Sequence, residues 1–170
     1  CADLSEVSKD KPQKSERLLP EGKPERFALL SRRHTDIFLL GLKEVPTGCV
    51  VSPNTLTGRS AWLSLAFLLR TAAALLLDVE PQELDAGFRP IAYQGMPSAE
   101  LFLADSLDNG AGYCRHLGQT EVLEQLMAQL HPASGAMAQQ LLHHGTCETT
   151  CNNCLRDYSN FPSPALLDWR

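Results

Sequence analysis

Three cysteines within eight residues, Cys147, Cys151 and Cys154, constrain this chain more than any other feature. Their Cys-x-x-x-Cys-x-x-Cys spacing puts the thiols at i, i+4 and i+7, so a helix through this stretch would carry all three on one face. Three convergent thiolates are a metal-ligand set, and zinc closes such a set with a fourth N or S donor in tetrahedral geometry. A closed site leaves no coordination position for water or substrate, so the sequence points to a folding staple and not a reaction centre. The residues offer four candidates for the fourth ligand: Cys114, His116, His143 and His144. Cys114 is favoured because Gly110 and Gly112 fix its position at the start of a helix. The competing interpretation of the same thiols is two disulfides, or buried cysteines that never meet. Cys1 and Cys49 have no partner at metal spacing and read as free thiols, Cys49 packed in the core.

Thiol clustering of this kind favours metal over disulfides and therefore a reducing, cytoplasmic setting. The first residue, Cys1, followed by the polar stretch Ala2–Lys23, also matches the start of a mature bacterial lipoprotein. An oxidising envelope would not preserve a thiolate cluster, and the cytoplasmic expectation is preferred. The longest apolar stretch, Ala61–Leu77, is interrupted by Arg70 and reads as a buried core helix, so no membrane partner is expected.

The formal charge is −5, which gives no global attraction to nucleic acid. Its distribution is uneven: residues 1–33 hold eight Lys or Arg against six Asp or Glu, and residues 34–170 hold seven against fourteen. Phosphate contacts are therefore expected near Lys9, Lys11, Lys14, Arg17, Lys23, Arg26, Arg32 and Arg33, although the same composition suits a solvated linker.

Along the chain, residues 1–24 carry Pro12, Pro20 and Pro24 and little periodicity, as in a linker or docking arm. Residues 25–56 contain two short apolar runs, Phe27–Ser31 and Asp36–Leu42, read as a strand pair. Thr55 or Thr57 then caps a long helix reaching Leu77, so densely apolar that more than one face must be covered. A turn with a helical piece at Gln82–Asp85 follows. Phe88–Tyr93 and Leu101–Leu107 are strand candidates separated by a turn at Gly95, Met96 and Pro97. Helices are expected from Gly112, over Thr120–Leu130, over Ala136–His144 and over Ala165–Trp169. The fold class is α+β: a small antiparallel strand set on a long apolar helix, with a C-terminal helical four-cysteine zinc module.

Other chemistry is less well marked. Gly110-Ala111-Gly112 before a helix could cradle an anion, but a tight entry that positions Cys114 needs the same glycines. Asp36, Asp105 and Asp108 with His34 and His116 could assemble a metal-dependent nucleic-acid hydrolase, the alternative function. Nothing in their spacing requires it, and Asp105 and Asp108 suit capping of the turn after a strand. No phosphate loop, His-Glu-x-x-His or Gly-x-Ser-x-Gly signature occurs. Most aromatic residues fall on apolar faces; Tyr158, beside Arg156, is the one placed for an exposed contact.

The segments Leu101-Phe-Leu-Ala-Asp-Ser-Leu-Asp-Asn-Gly-Ala-Gly-Tyr-Cys114, Cys147-x-x-x-Cys151-x-x-Cys154-Leu-Arg and Leu166-Leu-Asp-Trp169 resemble the zinc-binding (MZB) domain of MrfA-type superfamily 2 DNA helicases and of DrmB-like proteins of DISARM phage-defence systems. The matching portion, from about Thr57 to Trp169, delimits an MZB-like domain over residues 57–170. The resemblance implies a zinc site of Cys114, Cys147, Cys151 and Cys154 in a module without turnover of its own. It also implies a helicase motor domain or subunit as partner, DNA as a further partner, and a role in DNA repair or antiviral defence. In the family a histidine shortly precedes Leu-Leu-Asp-Trp, where this chain has Ser163, Pro164 and Ala165.

Overall fold

Thr55 starts the longest element. Its backbone is extended and its hydroxyl accepts the Gly58 N–H at 3.0 Å, which satisfies one orphan donor of helix α1 (Leu56–Leu77). The helix stops at Asp78, whose left-handed backbone (φ 55°) lets the N–H of Val79 return to the Ala74 carbonyl at 3.0 Å. The computed structural model describes residues 32–44, 48–49, 51–131, 135–137, 147, 149–152, 154–161 and 164–168. Beyond Arg32 these belong to one compact unit, Arg33–Arg170.

The sheet has three antiparallel strands in the order β1-β3-β2: β1 (Ile37–Gly41), β2 (Leu84–Tyr93) and β3 (Met96–Asp105). Strands β2 and β3 form a hairpin whose two-residue loop, Gln94-Gly95, has positive φ at both positions (50° and 78°), the geometry that matches strand twist. The sequence suggested a turn at Gly95–Pro97. Because Gln94 takes the first left-handed position, both strands run longer than expected and Met96 and Pro97 fall inside β3. Proline is tolerated at both strand positions for a reason of place. Pro90 lies on the edge strand β2, and Pro97 lies beyond Gly41↔Glu100, where pairing with β1 ends.

One face of the sheet carries Phe38, Leu84, Ala99, Leu101 and Leu103 into a core shared with Trp62, Ala66, Leu69, Ala72 and Ala73 of α1. The alanines let the helix approach the strands closely, while burying a side chain such as Leu69 stabilises by about 1.5–3 kcal/mol. On the opposite face Ile37 and Leu39 are exposed, and the ring of Phe102 occupies the space over Gly87, where an added Cβ would lie 2.8 Å from it.

Helix α1 is long and apolar enough by length and composition to cross a membrane, yet it is buried on two sides here. Its second side is covered by the C-terminal segment: Ser60 Oγ donates to the Leu166 carbonyl at 2.6 Å, and the Asp168 N–H donates to Ser64 Oγ at 2.9 Å. The expectation that more than one face must be covered is met. Two short helices, α2 (Tyr113–Leu117) and α3 (Thr120–Gln129), follow the sheet, α3 packing Val122 and Leu126 into the core.

Two expectations change. The helical piece near Gln82 is a 3-10 turn, Pro81–Glu83, and the C-terminal helix is a 3-10 turn, Pro164–Leu166. Strand β1 pairs with β3; its expected partner, Phe27–Ser31, lies outside the described residues, as does most of Ala136–His144.

Candidate metal centre

Among the described residues one group of metal-ligating side chains converges: the sulfurs of Cys147, Cys151 and Cys154 lie within 4.8 Å of one another. They are not on a helix. The described residues around them form turns closed on the Cys151 carbonyl, which accepts the N–H of Cys154 and of Arg156, both at 3.1 Å. Turns replace the helix because the backbone is pulled around the sulfurs: the Cys151 N–H points at Cys154 Sγ, 3.0 Å away, and Thr150 Oγ1 lies 3.7 Å from the same sulfur. Burial raises the Cys154 pKa, but these hydrogen bonds, with others from Leu155 and Cys151, outweigh it and hold the thiol below its ordinary value.

The spacing fits zinc. Four sulfurs bound at about 2.3 Å in tetrahedral geometry sit about 3.8 Å apart, and Cys147 Sγ lies 3.9 Å from Cys154 Sγ. The donor set, all sulfur and half-buried or buried, suits a closed structural ion.

Cys114 is not in this group. The Gly-Ala-Gly turn, with φ of 75° at Gly110 and 86° at Gly112, wraps the chain end of β3 around the buried carboxylate of Asp105. Asp105 Oδ2 accepts the N–H groups of Ala111 and Gly112, each at 2.7 Å, and of Tyr113 at 3.2 Å, while Oδ1 accepts that of Cys114 at 2.9 Å. Burial works to raise the Asp105 carboxyl. The Cys114 thiol and the ring of amides more than offset this and depress it. In turn burial, then the hydrogen bond to Asp105 and its charge, push the Cys114 thiol up to about 12. The thiol therefore faces a carboxylate from the sheet side, where the sequence placed it with the other three. The anion cradle anticipated at the glycines exists, and its anion is the protein's own Asp105.

The remaining sequence candidates do not gather. His34 and His116 are exposed, and Asp36 pairs with Arg115 at 3.1 Å. No cluster joins these with Asp105 or Asp108 among the described residues, so the hydrolytic constellation does not form. His143 and His144 lie outside the described residues, as do Cys1 and all the basic residues named above except Arg32 and Arg33. Arg33 donates to the Ser106 carbonyl at 3.0 Å and pairs with Asp85. Cys49 is exposed, not packed in the core.

Arg70 is the residue sequence reasoning passed over. It registered only as an interruption of an apolar helix, yet such an interruption in a buried stretch is itself the signal of a paired charge. Its guanidinium lies 4.6 Å from the Phe67 ring centroid, donates to Ser159 Oγ at 2.8 Å and pairs with Asp157.

A family model described as the MrfA Zn-binding domain (MZB) matches residues 65–155. Among curated proteins, Druantia protein DruE of Escherichia coli (strain UMEA 4076-1) is 30% identical over 157 residues, covering 88% of this chain. The chain spans 8% of that relative's length. A solved structure of the DUF1998 helicase MrfA bound to DNA matches 69% of this chain and 14% of that one, at 14% identity and a TM-score of 0.43.

Proposed function

Because this chain belongs to the MrfA zinc-binding domain family, whose model covers more than half of it, we propose that it is a zinc-stapled accessory module of a helicase or defence protein. The observation that carries this reading is the convergence of Cys147, Cys151 and Cys154. These residues would hold Zn²⁺, which when bound supplies folding energy and no open coordination position. The four-cysteine set expected from the sequence needs Cys114 as well, and its thiol can join only by giving up Asp105 and ionising.

The module's work is mechanical and interactive. It presents a rigid surface beside a motor carried elsewhere, supports DNA or partner-subunit binding, and catalyses nothing by itself. A cytoplasmic setting and a role in DNA repair or antiviral defence belong to the same proposal.

Native mass spectrometry of the purified chain tests the metal: one zinc per chain is expected, lost in Cys151→Ser. In the complete motor-bearing protein, Cys151→Ser should impair ATP-driven DNA unwinding more than ATP hydrolysis. A metal-free chain with an unaltered melt, or unwinding that survives the variant, overturns the proposal.

A further inference from the structure

Four residues beyond Cys154 the chain starts a 3-10 turn, Tyr158–Asn160, and leaves two aromatics in solvent, the first residue of the turn and the one that follows it: Tyr158 is 94% exposed and Phe161 72%. Side chains three apart eclipse in a 3-10 turn, and the Phe161 N–H closes on the Tyr158 carbonyl at 3.4 Å. The two rings therefore project from the same side.

Nothing about this turn is loose. Asp157 Oδ1 accepts Ser159 N–H at 2.8 Å and Asn160 N–H at 3.2 Å; Asn160 Oδ1 accepts Asp157 N–H at 2.9 Å; and buried Asn160 donates to the Leu155 carbonyl at 2.6 Å. Arg70 fixes Asp157 from below. A turn so fully bonded, which keeps two aromatic faces out of the core, is preorganised to receive a flat ligand.

Arg156 lies beside it. Its Nε is buried without an acceptor, and its guanidinium makes no hydrogen bond or ion pair among the described residues. It lines a cavity of about 210 Å³ with Thr71, Glu80, Gln82 and Asn152. Of the acids there, Asp157 is already paired with Arg70. Two exposed rings with the polar Ser159 between them, and an unpaired cation two residues before Tyr158, have the composition of a contact for a single phosphodiester strand.

We propose that this turn binds single-stranded DNA, Tyr158 stacking on an unpaired base beside Phe161, and Arg156 taking a neighbouring phosphate. The inference rests on the accessory-module reading and assigns its DNA contact to a site. Paired bases in a duplex offer no free face, so single strands are preferred.

Fluorescence anisotropy of the zinc-loaded chain with labelled oligothymidine, and with a hairpin duplex, provides the test. The chain should prefer oligothymidine. Tyr158→Ala should weaken it roughly tenfold, as for loss of one stacked base, and Tyr158→Phe should retain it. With so few phosphates engaged, the log–log salt slope should be shallow, roughly −0.7 per contact, and Arg156→Ala should flatten it. Zinc content of each variant, which changes outside the cysteine cluster should leave intact, verifies the fold. Absence of oligothymidine binding, equal binding by Tyr158→Ala, or preference for the duplex overturns the proposal. So does a Tyr158→Ala variant that keeps oligothymidine but loses its motor partner, since the turn is then a protein contact. None of these outcomes touches zinc occupancy, so the accessory reading is judged separately.

Discussion

Arg70, near the centre of α1, forms an ion pair with Asp157, three residues past the last cysteine of the cluster. The arginine is 3% exposed and the carboxylate 19%, so the pair works in a low-dielectric setting and ties the long core helix to the turn that follows the metal ligands. Removing one partner leaves the other charge buried and unpaired, which costs about 3–5 kcal/mol. Arg70→Ala should therefore lose stability on that scale in urea unfolding of the zinc-loaded chain. The double variant Arg70→Met with Asp157→Asn should recover much of the loss. A single variant that unfolds with the parent would show that the pair has no anchoring role.

The same pair sets an acid dependence. Burial raises the Asp157 carboxyl, but the Ser159 hydroxyl and the charge of Arg70 overcome this and hold it below the usual carboxylate value. An unfolded aspartate titrates at about 3.9. The stability drawn from the depression is thus complete above that pH and drains as pH falls through the lower folded value. Zinc thiolates also lose metal in acid, and comparison with Asp157→Asn removes that common effect. The difference in unfolding midpoint between parent and variant should be constant from about pH 7 to 5 and shrink below about 4. A difference that widens on acidification contradicts this assignment.

Asp105 concerns a different part of the fold. Its carboxylate satisfies four amides at the entry to α2, and Asp105→Ala leaves those donors without an acceptor at a buried position. Each orphaned group costs about 1–3 kcal/mol where water cannot reach it, so a total loss of at least about 3 kcal/mol is expected. Asp105→Asn should fall between, since its amide offers one acceptor and one misplaced donor. Chemical denaturation measures both, and near-parental stability of the alanine variant would mean that solvent replaces the carboxylate.

The fourth zinc ligand is a separate experiment. If the loaded site takes Cys114, then Cys114→Ser should reduce zinc affinity by orders of magnitude and free Asp105 from its thiol partner. If the fourth donor comes from elsewhere, the variant should keep its zinc while Cys151→Ser and Cys154→Ser lose it. Competition with a chromophoric chelator, followed for all three variants, separates the outcomes. Loss of zinc in none of them would remove the staple altogether, a site expected to contribute on the order of 10 kcal/mol of binding energy that is also folding energy.

Short-range chemistry made part of this protein readable from residues alone. Thr55 before an apolar run, glycine in the loop between two β-rich stretches, and thiols at i, i+4 and i+7 each act over a few residues. Helix α1, the β2–β3 hairpin and the three-cysteine cluster follow from them. What the sequence could not supply was the identity of partners across long loops. Nothing local to Arg70 names Asp157, 87 residues on. Nothing near Cys114 says that its first helical turn will close over Asp105 and face its thiol to a carboxylate. The cysteines themselves sit on turns because N–H groups bend toward sulfur once the segment packs. Backbone preference is settled by neighbours along the chain, whereas the direction of a buried polar group is settled by whichever acceptor or charge the packed core brings to it, and that choice exists only after folding.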